Sequence, residues 1–263
     1  MNRIKDIKLF LFDMDGTLYL GDQLYSFTKE LLASIRNKGA RYLFMTNNSS
    51  KSVNAYIQKL AKLGIEATKE DFITSSQATA YYLKKYHSGQ KLYVCGTKSL
   101  IEELEGEGFV TTTDIHEVDC IVIGYDTELT YQKLWDVSYL LLTRKDIPYI
   151  ATNPDLVCPT EFGSVPDCGS FCIGIKNATG RDPIVIGKPT PLMPQLAMDK
   201  WGVAPENTAV IGDRIYTDIK SGLNAGTLSI LVMSGETTKA ILDASDDKPH
   251  IVMDDAGEIM KYM

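Results

Sequence analysis

Short runs of β-branched and aromatic residues alternate along this chain with longer stretches whose apolar residues recur at helical spacing. Lys8–Phe12 reads as a buried strand, and Ser26–Asn37 follows as a helix with Phe27, Leu31, Leu32 and Ile35 on one face. Lys38-Gly39 closes that helix, Arg41–Met45 is a second strand, and Val53–Leu63 is a second helix ended by Gly64. Further strands are predicted at Lys91–Cys95, Cys120–Ile123, Tyr149–Ala151, Ile184–Ile186, Thr208–Ile211, Leu228–Val232 and His250–Met253, with a weak one near Ile73. Helices are predicted between them, including Ser99–Glu107 and Tyr131–Arg144. Strand and helix in alternation imply an α/β protein with a doubly wound parallel sheet. Asn153–Gly169 is the longest segment without periodicity, and a loop of that length is usually functional.

Composition narrows the class. The 263 residues correspond to about 1.8 domains at roughly 150 residues each. Hydrophobic residues make up 44 % and charged residues 23 %, so a disordered or collagen-like chain is excluded. The net charge of −7 argues against nucleic acid or an anionic membrane as partner, yet permits a small anionic ligand in a locally positive pocket. No signal-peptide pattern and no stretch of 18 apolar residues is present, and the cysteine number is odd at five. The expectation is a cytoplasmic protein with reduced thiols.

Four polar clusters stand at strand ends, where open α/β sheets bind ligands. Asp13-Met14-Asp15-Gly16-Thr17 follows the first strand: one carboxylate can attack phosphorus and its neighbour can carry a proton. It is not a calcium loop, because the twelfth position is Leu24. Thr46-Asn47-Asn48-Ser49-Ser50 follows the second strand and offers hydrogen-bond donors to an anion. Gly187-Lys188-Pro189 supplies a fixed cation, but Pro189 occupies the hydroxyl position that a nucleotide-hydrolase phosphate loop needs. Gly212-Asp213-Arg214-Ile215-Tyr216-Thr217-Asp218 supplies two carboxylates for a hard cation such as magnesium. Taken singly, each cluster also reads as helix capping or a solvated surface. No Gly-x-Ser-x-Gly elbow occurs, no cysteine has an arginine six positions on, and no zinc-ligand set is complete.

In this order the four clusters resemble the haloacid dehalogenase superfamily of phosphohydrolases. The match is Asp13-x-Asp15-Gly-Thr, Thr46, Lys188 and Gly212-Asp213-x4-Asp218. The resemblance implies Asp13 as nucleophile and Asp15 as acid and then base. Thr46, Asn47 and Asn48 would hold the phosphoryl group and Lys188 would neutralise it. Magnesium would sit on Asp13, the Asp15 carbonyl and Asp213, with Asp218 supporting its waters or orienting Lys188. Thr46 and Lys188 stand 142 residues apart (188 − 46). That excess looks like the large α/β cap of the NagD-like, or p-nitrophenyl phosphatase, branch. The further matches are Thr46-Asn47-Asn48-Ser49, Ala151-Thr152-Asn153-Pro154-Asp155, Cys168-Gly169-x2-Cys172-x-Gly174-Ile175 and Gly187-Lys188-Pro189-x-Pro191.

The expected organisation is a catalytic core of residues 1–76 and 181–263 with a substrate-selecting cap of residues 77–180, in which Asn153 and Asp155 contact substrate. The expected activity is magnesium-dependent hydrolysis of a small phosphorylated metabolite: a nucleotide, a sugar phosphate or, in vitro, p-nitrophenyl phosphate. The expected state is a monomer or a homodimer through the cap. A phosphomutase on the same fold and a catalytically silent phosphate-binding protein are the alternatives.

Overall fold

The computed structural model describes residues 3–160 and 162–263; Met1, Asn2 and Glu161 lie outside the described residues, as does the part of the leader and long-loop expectations that falls on them. The chain divides into two compact units, Met1–Thr46 with Tyr56–Ile73 and Lys188–Met263, and Asn47–Ala55 with Thr74–Gly187.

The first unit is built on a six-stranded sheet. Its spatial order is Ile251–Met253, Leu228–Val232, Thr208–Gly212, Leu9–Phe12, Arg41–Thr46 and Phe72–Thr74. Leu9–Phe12 pairs in parallel with Thr208–Gly212 on one side and Arg41–Thr46 on the other. Leu228–Val232 and Ile251–Met253 continue the parallel ladder. All four residues of Leu9–Phe12 are buried, because helices cover both faces of such a sheet. The chain runs outward from Leu9–Phe12 in one direction and later returns on the other side. The strand order therefore reverses between Leu9–Phe12 and Thr208–Gly212, and the carboxyl ends at such a reversal are where open α/β sheets bind ligands. Thr28–Asn37 buries Leu31, Leu32 and Ile35, and Phe44 packs at a tilt against Phe72 with ring centroids 5.2 Å apart.

The second unit has its own five-stranded parallel sheet, in the order Ile184–Val185, Tyr149–Ala151, Cys120–Ile123, Lys91–Cys95 and Val110–Thr111. Its core gathers Ile121, Ile123, Val137, Leu140, Tyr149, Cys168, Cys172 and Ile175. The fold class is thus the α/β class that the alternating pattern predicts.

Several elements differ from the periodicity reading. Ile184–Val185, expected in the core, pairs with Tyr149–Ala151 of the second unit. Asn153–Gly169 is not wholly irregular: Val157–Thr160 and Gly163–Pro166 form an antiparallel hairpin. Its exposed strands have no buried face to generate alternation. Two helices escaped notice. Ser75–Tyr86 buries Ser75, Ser76, Ala78 and Thr79, too small and polar to mark an apolar stripe. The Thr74/Gln77 capping box was its one sequence signal. Cys168–Thr179 is masked by Gly169 and Gly174; Gly169 is required there, since a Cβ would overlap the Pro154 carbonyl.

Leu11 is fully buried and lies in register between Leu43 and Val210. Leu11→Ala is expected to lower unfolding free energy by about 2–5 kcal/mol in urea titration; a loss under about 1 kcal/mol would contradict this placement.

Candidate active site

Asp13 and Asp213 each sit just past the end of a strand of the first unit. Asp13 follows Leu9–Phe12, and its amide continues the ladder by donating to the Ile211 carbonyl at 2.8 Å. Gly16 has φ +81°, a conformation open to glycine, and a Cβ there would stand 2.6 Å from Asp213 Oδ2. Asp213 follows Thr208–Gly212 directly. Arg214–Ile219 then forms a single wide turn in which the Ile219 amide reaches the Arg214 carbonyl at 3.2 Å. Such turns recur at functional sites. The turn brings Asp218 back against Gly212, where any Cβ would overlap its carboxylate.

Lys188 ties these groups together. Its ammonium, 3 % exposed, donates to Asp13 Oδ1 at 2.6 Å, to Asp218 Oδ1 at 2.6 Å and to the Met45 carbonyl at 3.3 Å. Asp218 is fully engaged, since its Oδ2 accepts the Arg214 amide at 3.1 Å. Single carboxylate oxygens of Asp13, Asp213 and Asp218 all lie within 4.8 Å of one another. The other sequence-predicted residues of this unit fall differently. Thr46, buried, ends the Arg41–Thr46 strand one residue beyond the carbonyl that Lys188 holds. The Asp15 side chain is exposed and stands outside the carboxylate cluster.

The cluster carries excess negative charge: three carboxylates against one ammonium. Burial pushes the Asp13 carboxyl up to about 8; Lys188 opposes this, while Asp218 and Asp213 add to it. Burial and Asp218 likewise push Asp213 up to about 6, against the Glu236 amide. For Lys188, burial alone would favour loss of the proton, but Asp13 and Asp218 outweigh it and raise its pKa. Asp213 Oδ1 is buried and has no hydrogen-bond partner among the described residues. An all-oxygen cluster with a surplus of negative charge and a buried partnerless oxygen suits a small hard dication.

In the second unit Asn47, Asn153 and Asp155 come together. Asn47 Nδ2 donates to Asp155 Oδ2 at 3.1 Å, and Asn153 Nδ2 donates to the Asn47 carbonyl at 2.7 Å. Ser75 Oγ donates to the same carbonyl at 2.6 Å. Asn48 closes a local turn instead, its Oδ1 accepting the Ser50 amide at 2.9 Å and hydroxyl at 2.8 Å. Ser49 Oγ lies 2.9 Å from Thr152 Oγ1. Residues missed from sequence are Ser234, Gly235 and Glu236, which close around Asp213 from the loop after Leu228–Val232. Their signal was position alone: another strand end of the same sheet.

Residues 10–110 match the family model for haloacid dehalogenase-like hydrolases, and residues 185–259 match a second model of the same hydrolase type. Acid sugar phosphatase of Staphylococcus haemolyticus is 35 % identical over 246 residues, covering 94 % of this chain and 92 % of that protein. Among solved structures, 4-nitrophenylphosphatase of Thermotoga maritima superposes with a TM-score of 0.93 at 40 % identity, over 98 % of both chains. Glycerol phosphate phosphatase of Mycobacterium tuberculosis, solved in complex with magnesium, gives a TM-score of 0.88 at 29 % identity, over 98 % of this chain and 78 % of that one. The chain belongs to the haloacid dehalogenase-like hydrolases, in their NagD-like branch. Its enzyme class is that of a hydrolase acting on phosphoric monoesters. Among the described residues, no helix is long and apolar enough to cross a membrane.

The raised carboxyls give a pH test. Without metal, folded Asp13 and Asp213 hold protons that the unfolded chain releases above the ordinary aspartate value of 3.8. Their stabilising contribution is complete below that value and is lost as pH rises through about 6 and then about 8. A dication competes with those protons, so the rise in Tm on adding magnesium is expected to grow between about pH 5.5 and about pH 8. Thermal melts across that range check this; a magnesium shift independent of pH would contradict it.

Proposed function

We propose that this enzyme is a magnesium-dependent phosphatase of small phosphorylated metabolites that works through an acyl phosphate of Asp13, an aspartyl-phosphate intermediate. The observation that carries the reading is Lys188, bonded at once to Asp13 and Asp218 beside the partnerless Asp213 oxygen. Lys188 holds Asp13 in place and opposes the rise in its pKa; with that proton displaced, a carboxylate oxygen of Asp13 faces phosphorus. That oxygen forms the new bond to phosphorus while the bond to the leaving oxygen breaks, and Asp15 donates the proton that oxygen needs. Exposure of Asp15 suits a group that meets the leaving group and then water. Asp15 next takes a proton from water, whose oxygen attacks phosphorus, and inorganic phosphate leaves Asp13 free. The Thr46 hydroxyl and the Asn47 amide hold the phosphoryl oxygens.

Asp13, the Asp15 carbonyl and Asp213 would hold magnesium; Asp218, both of whose oxygens are engaged, serves it by orienting Lys188. When bound, magnesium supplies charge to offset that building on the phosphoryl oxygens. We assign the chemistry to the core and substrate selection to the cap. Asn153 and Asp155, buried and bonded to Asn47, act by fixing the Asn47 segment rather than by touching the leaving group. Among the described residues the cysteines form no disulfide, which suits a reducing cytoplasm. Sugar phosphates, glycerol phosphate and p-nitrophenyl phosphate are the compounds to test, following the relatives' names.

Asp13→Asn, which keeps the shape of the side chain, is expected to reduce magnesium-dependent phosphate release from these compounds by at least about 1,000-fold with an unchanged circular dichroism spectrum. Chelator is expected to abolish wild-type release and magnesium to restore it. Full activity of Asp13→Asn, or activity indifferent to chelator, would overturn the reading.

A further inference from the structure

Asp213 is enclosed by a loop that takes no direct part in the proposed chemistry. Leu228–Val232 runs parallel to Thr208–Gly212, so the loop after it falls beside the residue that follows Gly212. The Glu236 amide donates to Asp213 Oδ2 at 2.7 Å, and the Thr237 amide donates to the Asp213 carbonyl at 3.2 Å. Gly235 faces the same carboxylate so closely that any Cβ would overlap Oδ2, while Gly16 closes from the other strand end. The loop is itself anchored. Ser234 Oγ donates to the Gly16 carbonyl at 2.7 Å, and Tyr25 Oη donates to the Ser234 carbonyl at 2.8 Å. The Glu236 carboxylate accepts from Arg214 Nε at 2.8 Å and from the Tyr216 hydroxyl at 2.6 Å.

These contacts divide the two oxygens of one carboxylate. Oδ2 is committed to the Glu236 amide, and Oδ1 is left buried without a partner. A free aspartate would rotate between the two; here the glycine-lined slot and the amide fix the choice. We propose that Ser234–Thr237 is a positioning loop that presents Asp213 Oδ1 to the metal and thereby sets the affinity for magnesium. The inference rests on the metal reading given above and extends it to residues that touch neither substrate nor ion. Ser234 links the loop to Gly16 of the first motif, so one clamp spans both acidic strand ends.

The test is calorimetric titration of magnesium into the full-length, metal-stripped wild type, Gly235→Ala and Ser234→Ala. Supporting groups around metal ligands typically change affinity 10–100-fold. Gly235→Ala, which pushes the carboxylate, is expected to weaken magnesium binding by about 10–100-fold, and Ser234→Ala, which only unties the loop, by about 3-fold or more. In turnover, the magnesium concentration for half-maximal rate is expected to rise in both variants by more than the substrate KM does. A merely structural role would not produce that split. Should Gly235→Ala fail to fold, Ser234→Ala decides alone: weaker magnesium binding supports the loop's role and unchanged binding overturns it. Wild-type affinity in both variants would overturn the loop's role only. Absence of magnesium binding to the wild type would overturn the metal reading and this inference with it.

Discussion

One ammonium between two carboxylates organises the candidate active site. Lys188 Nζ reaches Asp13 and Asp218 at 2.6 Å each, and with Asp213 alongside, three negative charges face one positive charge. Such a group is tolerable inside a protein only if its charge is balanced, either by protons or by a cation. The raised carboxyls of Asp13 and Asp213 are the proton-balanced form. A dication would replace those protons, leave Asp13 ionised and make it a competent nucleophile. On the proposed reading, binding of metal and activation of Asp13 would be one electrostatic event.

The fold delivers this cluster because the strand order reverses between Leu9–Phe12 and Thr208–Gly212. Two parallel neighbours end side by side, and the residues just past each end, Asp13 and Asp213, are brought close without any long-range search. Glycine then permits the close approach: Gly16 and Gly235 press on Asp213, and Gly212 presses on Asp218. Backbone presses on Asp213 and Asp218, and Lys188 ties Asp218 to Asp13, which limits how far the acidic groups can move apart. Burial first, and the neighbouring carboxylates second, therefore raise the pKa of Asp13 and of Asp213.

Much of this was legible in the sequence, and the reasons are local. Leu9–Phe12, and Tyr42–Met45 within Arg41–Thr46, are continuous hydrophobic runs followed at once by polar residues, so strand and site announce themselves together. Lys188 was legible only as a strand-end lysine; its double ion pair joins residues 175 and 30 positions apart, and no local pattern records it. Ser75–Tyr86 was hidden because small polar residues fill its buried face. Ile184–Val185 was placed with the wrong sheet because two residues carry no pairing information. Glu236 was invisible for a deeper reason: it reaches Asp213 through its backbone amide, which every residue but proline possesses. Gly235 beside it was the only readable trace.

The central claim is that the surplus charge of the cluster is completed by a dication on Asp13 and Asp213. It is tested most directly by a crystal structure of the wild type grown with manganese, a magnesium substitute located by anomalous scattering. The expected result is one ion bonded to an Asp13 carboxylate oxygen and to Asp213 Oδ1 at about 2.0–2.2 Å. Lys188 should remain on Asp218. An ion bound elsewhere, or no ion at saturating manganese, would contradict the account.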